Sequence, residues 1–438
     1  MKTAATMIAT TLLTALPLVG SAAQVKLDVS LANPVLIAGK KQTTYLKVGL
    51  TGFEMEGKSK RTPANIAIVI DRSGSMQGDK IKQAKEAARV AISRLNGNDI
   101  VSVVAYDDTV SVLVPATKAS DREAILAGID RIEAGGSTAL FAGVSKGAEE
   151  VRKFLTRDRV NRVILLSDGL ANVGPDTPGA LGELGSSLVK EGISVTTLGL
   201  GLGFNEDLMS LLAQRSDGNH AFIEHSKDLV KIFNYEFGDV LSVVAQEVLV
   251  TINCAEAVRP VKVLGRQADI AGQNVVASIN QLYSNQEKYL MLEVEIPEGS
   301  VKKPLDVANV KVTYANMSTK TTDTLTSAVA VRFTESEEQV VQKRDKVVLE
   351  AAVMQVATER NIMATQLRDE GKVEEAQKLL IFNAGYLQQQ AGELESEQLD
   401  SYAGDNRDDS MNLDASSWKA RRKSMRDVQY KNTTQRSY

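Results

Sequence analysis

The sequence predicts an α/β protein with a doubly wound, mostly parallel sheet, an accompanying β-sandwich and a C-terminal α-helical hairpin. Between residues 63 and 238, short apolar runs alternate with helix-length amphipathic stretches, as in a parallel sheet that is covered on both faces. Between residues 239 and 334, apolar and polar residues alternate with a period of two, which is typical of half-buried strands. Helix-forming residues then dominate residues 335–400, with a turn at Gly371.

The elements of the α/β region follow one another in a regular order. Its predicted core strands are apolar runs at residues 66–70, 101–105, 163–166 and 195–198. The predicted helices lie near residues 80–95, 121–132, 140–154, 178–191, 205–215 and 227–237. Residues 110–114 closely follow the second run, so they are predicted to form an antiparallel edge strand.

Residues 24–62 carry two further alternating segments, at 25–30 and 43–49. We expect them to supply missing strands of the sandwich, which would make the α/β domain an insertion into a β domain. The helix-rich segment predicts one long helix from Glu335, followed by a second helix after the turn. Residues 401–438 are polar and predict a flexible tail.

A basic cluster at residues 418–423 lies within this predicted tail. Such clusters are most often solvated helix faces. Trp418 could instead anchor the segment against the body of the protein or a partner.

The first 23 residues predict an export signal. Lys2 supplies the positive start, a weakly apolar run follows at residues 4–19, and small residues at 21–23 suit cleavage. We therefore expect a periplasmic or secreted protein whose mature chain begins near Gln24. No later segment approaches the length of a membrane span, so none is expected in the mature chain.

Composition excludes some functions. A net charge of -4 argues against a general nucleic-acid binder, which needs an excess of Lys and Arg on one face. Cys254 is the single cysteine, so an intrachain disulfide is impossible. We expect its thiol to be a small buried apolar group in a strand. The sequence does not indicate an oligomeric state.

The candidate site begins where the first apolar run ends, at Asp71-Arg-Ser73-Gly-Ser75. Ligands of open parallel sheets bind beyond the carboxyl ends of strands, which makes this position informative. Oxygen ligands without nitrogen or sulfur suit a hard cation such as Mg²⁺, Mn²⁺ or Ca²⁺. Alone, the triplet fits an ordinary turn and helix cap equally well. Two other loops repeat the pattern, with Thr138 after paired glycines and Asp168 after the next apolar strand.

Together these loops resemble the metal-ion-dependent adhesion site of the von Willebrand factor A-type (VWA) domain, in its bacterial exported form. The resemblance covers about residues 64–237. It implies that five side chains hold the ion directly or through water: Asp71, Ser73, Ser75, Thr138 and Asp168. It further implies that an Asp or Glu of a partner protein becomes a ligand of the ion.

The charges of these residues agree with that role. The carboxylates of Asp71 and Asp168 roughly balance a 2+ charge, and neutral hydroxyls complete the shell. Mg²⁺ takes six oxygens, so a position is left for an incoming carboxylate. The expected function is a cation-dependent adhesion or assembly module that is not an enzyme.

Two alternatives remain at this point. A metal-dependent hydrolase would use Ser73 or Ser75 as nucleophile, or an ion-activated water. A scaffold would use the ion only to stabilise its loops. His220 and His225 are expected to lie away from the edge of the sheet that carries the three candidate loops, which weighs against the hydrolase.

Asp107 and Asp108 follow the second strand and could lie near the ion. We expect them to form a solvated turn outside the ligand set.

Overall fold

The computed structural model describes residues 24–54 and 61–435. The predicted export signal at residues 1–23 lies outside the described residues. The first strands are β1 (Val25–Leu31), β2 (Val35–Ile37) and β3 (Gln42–Gly52).

The α/β domain follows, and its strands and helices alternate along the chain. They are β4 (Ala64–Asp71), α1 (Asp79–Arg94), β5 (Ile100–Tyr106), β6 (Val110–Lys118), α2 (Arg122–Asp130), α3 (Leu140–Arg152), β7 (Val160–Ser167), α4 (Pro178–Lys190), β8 (Ile193–Leu200), α5 (Glu206–Arg215), β9 (His220–Ile223) and α6 (Leu229–Leu241). The strand order is β6-β5-β4-β7-β8-β9, and every neighbouring pair is parallel except β5 with β6. The predicted doubly wound, mostly parallel sheet is confirmed.

The central strand β4 shows why its sequence is a continuous apolar run. Ile66, Ile68 and Ile70 lie in an apolar core with residues of α1 and α6. Ala67 and Val69 face the opposite core, with residues of α3, α4 and α5. Because both faces are buried, residues 66–70 are all apolar, and the charged side chain of Asp71 comes at the carboxyl end of the strand. The polar loops therefore gather at one rim of the sheet.

The chain then returns to antiparallel strands: β10 (Val243–Cys254), β11 (Arg259–Leu264), β12 (Asp269–Ala271), β13 (Asn274–Tyr283), β14 (Glu287–Ile296), β15 (Leu305–Asn316) and β16 (Thr322–Thr334). One sheet has the order β1-β3-β14-β11, and the other has the order β12-β13-β10-β15-β16-β2. Their facing side chains share one apolar core. Strands from before the α/β domain thus pair with strands from after it, so the α/β domain is inserted into a sandwich. Cys254 is buried in β10, and burial raises the pKa of its thiol to about 11.

The remaining residues are helical: α7 (Glu337–Gln342), α8 (Lys346–Asp369), α9 (Val373–Leu394), α10 (Glu397–Met411) and α11 (Trp418–Thr434). The prediction of one long helix from Glu335 is wrong, because α8 begins anew after Asp345. The Asp345 carboxylate accepts a hydrogen bond from the backbone N–H of Val348 at 3.0 Å and so caps the new helix. Gly371 has φ +82° at the predicted turn between α8 and α9.

The prediction of a flexible tail at 401–438 is wrong for its described residues, which run to Gln435. The polar residues of this region bond to one another in its interior. The Asn361 and Asn383 side-chain amides both donate to Asn406 Oδ1, each at 2.9 Å. All three side chains are buried. Their polarity therefore supports a packed helical core and does not indicate solvated chain.

Helix α11 ties this helical region to the α/β domain through a charged cluster that we call the clamp. The clamp consists of the carboxylates Glu206, Asp207 and Asp369 and the cations Arg422, Lys423 and Arg426. Arg422 bonds to all three carboxylates, including Asp207 at 2.5 Å and Asp369 at 2.7 Å. The interpretation of residues 418–423 as a solvated face is therefore wrong. The charges of Arg422 and Lys423 face α5, and Trp418 Nε1 donates to Asp369 at 3.1 Å.

Within the described parts of the chain, no helix is both long enough and apolar enough to cross a membrane.

Candidate metal-binding site

The candidate site lies at the carboxyl ends of β4 and β7, which are parallel neighbours. Asp71 is the last residue of β4, and Asp168 directly follows the last residue of β7. Ser73 precedes a short 3₁₀ turn, Gly74–Met76, which contains Ser75. Parallel strands end at the same edge, so the two aspartates and the turn meet there.

Hydrogen bonds join four of the five predicted ligands into one chain. Asp71 Oδ1 accepts from the backbone N–H of Ser73 at 2.8 Å. The hydroxyls of Ser73 and Ser75 share a hydrogen bond of 3.1 Å. Ser75 Oγ donates to Asp168 Oδ1 at 2.7 Å. The two aspartates are therefore linked through two serine hydroxyls.

Gly169 reveals how closely the three loops converge. A Cβ built on this glycine would lie 3.0 Å from Thr138 Oγ1, 3.5 Å from Ser75 Oγ and 3.6 Å from Asp71 Oδ2. Oxygen atoms from the Asp71 loop and the Thr138 loop therefore lie close to Gly169, which belongs to the third loop. Because glycine has no side chain, no Cβ crowds these oxygen atoms.

The glycine-rich loop that carries Thr138 is held against the Asp71 loop by backbone hydrogen bonds. The N–H of Gly74 donates to the carbonyl of Gly136 at 3.0 Å, and the N–H of Gly135 donates to Arg72 at 2.7 Å. Gly136 has φ +78°, and a Cβ there would collide with Asp108. Asn172 accepts a hydrogen bond from the Thr138 N–H at 2.8 Å. The position of Thr138 is therefore set by its backbone.

The two aspartates of the site are buried, whereas Ser75 beside them is exposed. Asp71 and Asp168 have exposed fractions of 0% and 1%. Burial raises the pKa of Asp71, and the charge of Asp168 adds to that rise, although hydrogen bonds from Ser167 and Ser73 lower it. Ser75 is exposed. Two buried acidic groups thus lie beneath an opening to solvent, where a positive charge would be stabilised.

Lys80 was missed by the sequence prediction. Its ammonium forms an ion pair with Asp168 Oδ2 and donates to the backbone carbonyl of Ser75 at 3.3 Å. Lys80 lies in the first turn of α1, where a cation opposes the helix dipole. That unfavourable position directly after the Asp71 loop is the signal that could have drawn attention to it.

The expectation that His225 lies away from the rim is wrong. Strand β9 is parallel to β8, so the residues after Ile223 emerge at the same edge as the metal loops. His225 and Lys80 line one cavity of about 430 Å³. His220 begins the strand, and its Nδ1 bonds with the hydroxyl of Thr197 at 2.8 Å.

Asp107 is engaged in a turn of its own. It accepts hydrogen bonds from the N–H and the hydroxyl of Thr109, both at 2.8 Å, and pairs with Arg72 at 2.9 Å. Burial raises the pKa of Asp107, but the bonds from Thr109 and the charge of Arg72 outweigh it, so the pKa is lowered overall. Asp108 is exposed. Neither is among the oxygen atoms that surround Gly169.

Two apolar side chains are exposed on the loops of the same rim. Leu170 follows β7 and is 57% exposed, and Leu202 follows β8 and is 39% exposed. The two strands are parallel neighbours. Exposed apolar residues beside a polar site are typical of surfaces that bind proteins.

The donor set suits a hard cation. It combines two carboxylates with three hydroxyls, which are ligands for Mg²⁺, Mn²⁺ or Ca²⁺ and not for soft metals. No group of three or more His, Cys, Asp or Glu side chains arranged to hold a metal occurs in the described portion of the chain. Any ion at the rim would therefore depend on the hydroxyls as well as the aspartates.

Comparisons with known proteins support the domain and its fold. Residues 65–235 match the family model of the von Willebrand factor type A domain. Over 211 residues the chain is 29% identical to Escherichia coli YfbK, covering 48% of this chain and 36% of YfbK. It is 29% identical to Synechocystis sll0103 over 249 residues, which is 55% of this chain and 59% of that protein. It is 31% identical to mouse inter-alpha-trypsin inhibitor heavy chain H2 over 188 residues, covering 39% and 20%. The chain thus spans less than two thirds of each of these relatives.

Two solved structures share the fold over most of their length. A von Willebrand factor type A protein from Catenulispora acidiphila aligns with a TM-score of 0.70 and 17% identity, covering 89% of each chain. The ArnB paralog VWA2 from Sulfolobus acidocaldarius aligns with a TM-score of 0.63 and 17% identity, covering 95% of this chain and all of that one. They confirm the α/β fold together with the extra sheets and C-terminal helices. The chain therefore contains a von Willebrand factor type A domain at residues 65–235.

Proposed function

We propose that this protein is a divalent-cation-dependent binding module for adhesion or assembly, which captures an acidic residue of a partner protein. The ion would be Mg²⁺, Mn²⁺ or Ca²⁺, held by the five predicted ligands Asp71, Ser73, Ser75, Thr138 and Asp168. The proposal rests on one observation: oxygen atoms of two loops lie close together beside Gly169 of a third loop, where the carboxylates of Asp71 and Asp168 are buried. Von Willebrand factor type A domains commonly mediate protein–protein interaction, which supports this class of function.

The open side of the site supports a protein as the partner. When bound, the ion supplies an electrophilic centre for a carboxylate oxygen. The exposed Leu170 and Leu202 offer apolar contact around that centre. An Asp or Glu on a protein surface, flanked by apolar side chains, would match both features.

The serine hydroxyls support binding rather than hydrolysis. Ser73 and Ser75 bond to each other, and Ser75 also bonds to Asp168, which supports a role for both as ligands. The alternative is a metal-dependent hydrolase, and the position of His225 near the rim favours testing it. We propose that the protein is not an enzyme.

We also propose export to the periplasm or the cell exterior. This rests on the positive start, the apolar run and the small residues of the first 23 positions.

The test measures metal binding by calorimetry with MgCl₂ and MnCl₂. Asp71→Ala is expected to weaken binding at least about a hundredfold, because it removes one of the two charged ligands. Asp108→Ala is the matched control, since it removes a carboxylate from the same rim without touching the cluster. It is expected to bind as the wild type does.

Partner capture is then compared in magnesium and in chelator. The same proteins should be recovered by wild type and Asp108→Ala in magnesium, and lost with chelator or with Asp71→Ala. Recovery of the same proteins in the presence of chelator and by Asp71→Ala would contradict the proposal. A hydrolytic activity that disappears in Ser73→Ala at unchanged metal affinity would favour the hydrolase.

A further inference from the structure

Asp168 is the one predicted ligand that already holds a cation of the protein. Its Oδ2 is paired with the ammonium of Lys80, and its Oδ1 accepts from Ser75. The Asp168 carboxylate is fully buried, whereas 35% of the Lys80 side chain is exposed. The Lys80 side chain thus runs from the exposed start of α1 to the buried carboxylate of Asp168.

Several features hold the Lys80 side chain in this path. Its stem lies beside Gly201, where a Cβ would be 3.9 Å from the Lys80 Cε. Its ammonium also donates to the carbonyl of Ser75, within the loop that supplies ligands. A lysine in the first turn of a helix is disfavoured by the helix dipole, so its interactions at the rim must offset that cost.

A divalent ion and this ammonium make opposing demands on Asp168. The ion needs the negative charge of Asp168, directly or through water, and both oxygens of Asp168 are already engaged. Two positive centres next to one buried carboxylate repel each other strongly, because the surroundings screen them poorly. Simultaneous occupation is therefore unfavourable.

We propose that Lys80 is a resident cation that competes with the metal for Asp168 and is displaced when the metal binds. This inference rests on the proposed function. The cavity of about 430 Å³ beside the site gives the displaced ammonium a place to move, and Glu224 on its wall offers another carboxylate.

The charges predict a selectivity for divalent ions. Asp71 and Asp168 together carry two negative charges when ionised, and Lys80 contributes one positive charge. A monovalent ion would replace the ammonium by an equal charge and gain nothing. A divalent ion completes the neutralisation of both carboxylates. Lys80 is thus a specificity-determining residue of the site.

The test replaces Lys80 while keeping its apolar stem. Lys80→Met is expected to bind Mn²⁺ about tenfold more tightly in calorimetry, because the competing charge is gone. Its melting temperature in chelator is expected to fall, because Asp168 then stays buried without a cation. When the NaCl concentration is varied and the total ionic strength is held constant, Na⁺ should weaken Mn²⁺ binding to Lys80→Met more than it weakens Mn²⁺ binding to the wild type.

Two variants serve as controls. Lys82→Met removes the same charge from the same helix, where the ammonium forms only an exposed pair with Asp79. It is expected to stay within about twofold of the wild type. Lys80→Arg keeps the positive charge, so its affinity for Mn²⁺ should not exceed that of the wild type.

The outcomes separate this inference from the proposed function. Unchanged or weaker Mn²⁺ binding by a folded Lys80→Met, with the wild type binding normally, would overturn the inference alone. Binding by neither protein would overturn the proposed function and the inference with it. Binding by Lys80→Met but not by the wild type would support competition by Lys80 but contradict the proposed function, which requires the wild type to bind the ion.

Discussion

The rim site and the clamp are both clusters of carboxylates and cations, yet their charges are balanced differently. In the clamp, three carboxylates meet three cations, and Arg422 alone bonds to all three acids. At the rim, the Lys80 ammonium pairs with Asp168, whereas Asp71 accepts hydrogen bonds from the hydroxyl of Ser167 and the backbone N–H of Ser73, which are neutral. The clamp is therefore saturated by the protein itself, whereas the rim has negative charge to spare.

This difference distinguishes a structural cluster from a binding site. A saturated cluster gains nothing from an added ion, because each charge already has its partner. A cluster of buried carboxylates with too few cations is stabilised by one. Charge balance therefore separates the two roles where burial alone would not, since both clusters contain buried groups.

The largest effect is expected at the clamp. Arg422→Met should lower the free energy of unfolding by about 3 kcal/mol, because three acids lose their shared partner. Urea unfolding followed by circular dichroism measures this loss. Metal affinity should stay within about threefold of the wild type, because the clamp holds no ion.

Arg407→Met is the matched control for that variant. Arg407 lies in the same helical region and is exposed. Among the described residues, its side chain forms a hydrogen bond only with Gln388. Its removal should change the free energy of unfolding by less than about 0.5 kcal/mol. An Arg422→Met protein as stable as this control would break the distinction between the two clusters.

A smaller effect is expected at Asp409, another buried carboxylate. Burial raises the pKa of Asp409 to about 6 from its ordinary value of 3.8, although Arg421 and Asn361 lower it. The folded state therefore holds more protons than the unfolded state between those values. The stability that this group contributes is complete below pH 4 and is lost as the pH rises through 6.

Asp409→Asn should remove this loss. The difference in the free energy of unfolding, variant minus wild type, is expected to increase by roughly 1 to 2 kcal/mol between pH 4 and pH 7. Urea unfolding at a series of pH values measures this slope. Asp408→Asn, at an exposed neighbouring position, should leave the slope as it is. Identical slopes in wild type and Asp409→Asn would show that Asp409 ionises normally.

Much of the rim could be predicted because its signals are local. Asp71 and Asp168 each stand directly at the end of an apolar strand, and parallel strands bring such positions together. Lys80 was missed because its role depends on the direction of a long side chain. His225 was misplaced because the direction of the short strand β9 depends on pairing with β8.

The clamp could not be predicted because its partners are distant in the sequence. Arg422 and Glu206 are 216 residues apart. A local pattern shows only a basic cluster in a polar segment. The buried Asn361, Asn383 and Asn406 misled in the same way, because composition does not reveal that polar groups will satisfy one another. By contrast, the start of α8 carried a local signal in the capping residue Asp345.

The most direct test of the metal site is anomalous diffraction from a crystal grown with MnCl₂. We expect one manganese peak at the rim, with the Lys80 ammonium withdrawn from Asp168 and the ion surrounded by the side chains of Asp71, Ser73, Ser75, Thr138 and Asp168. A rim without a peak, in a crystal where those five side chains point away from one another, would contradict this expectation.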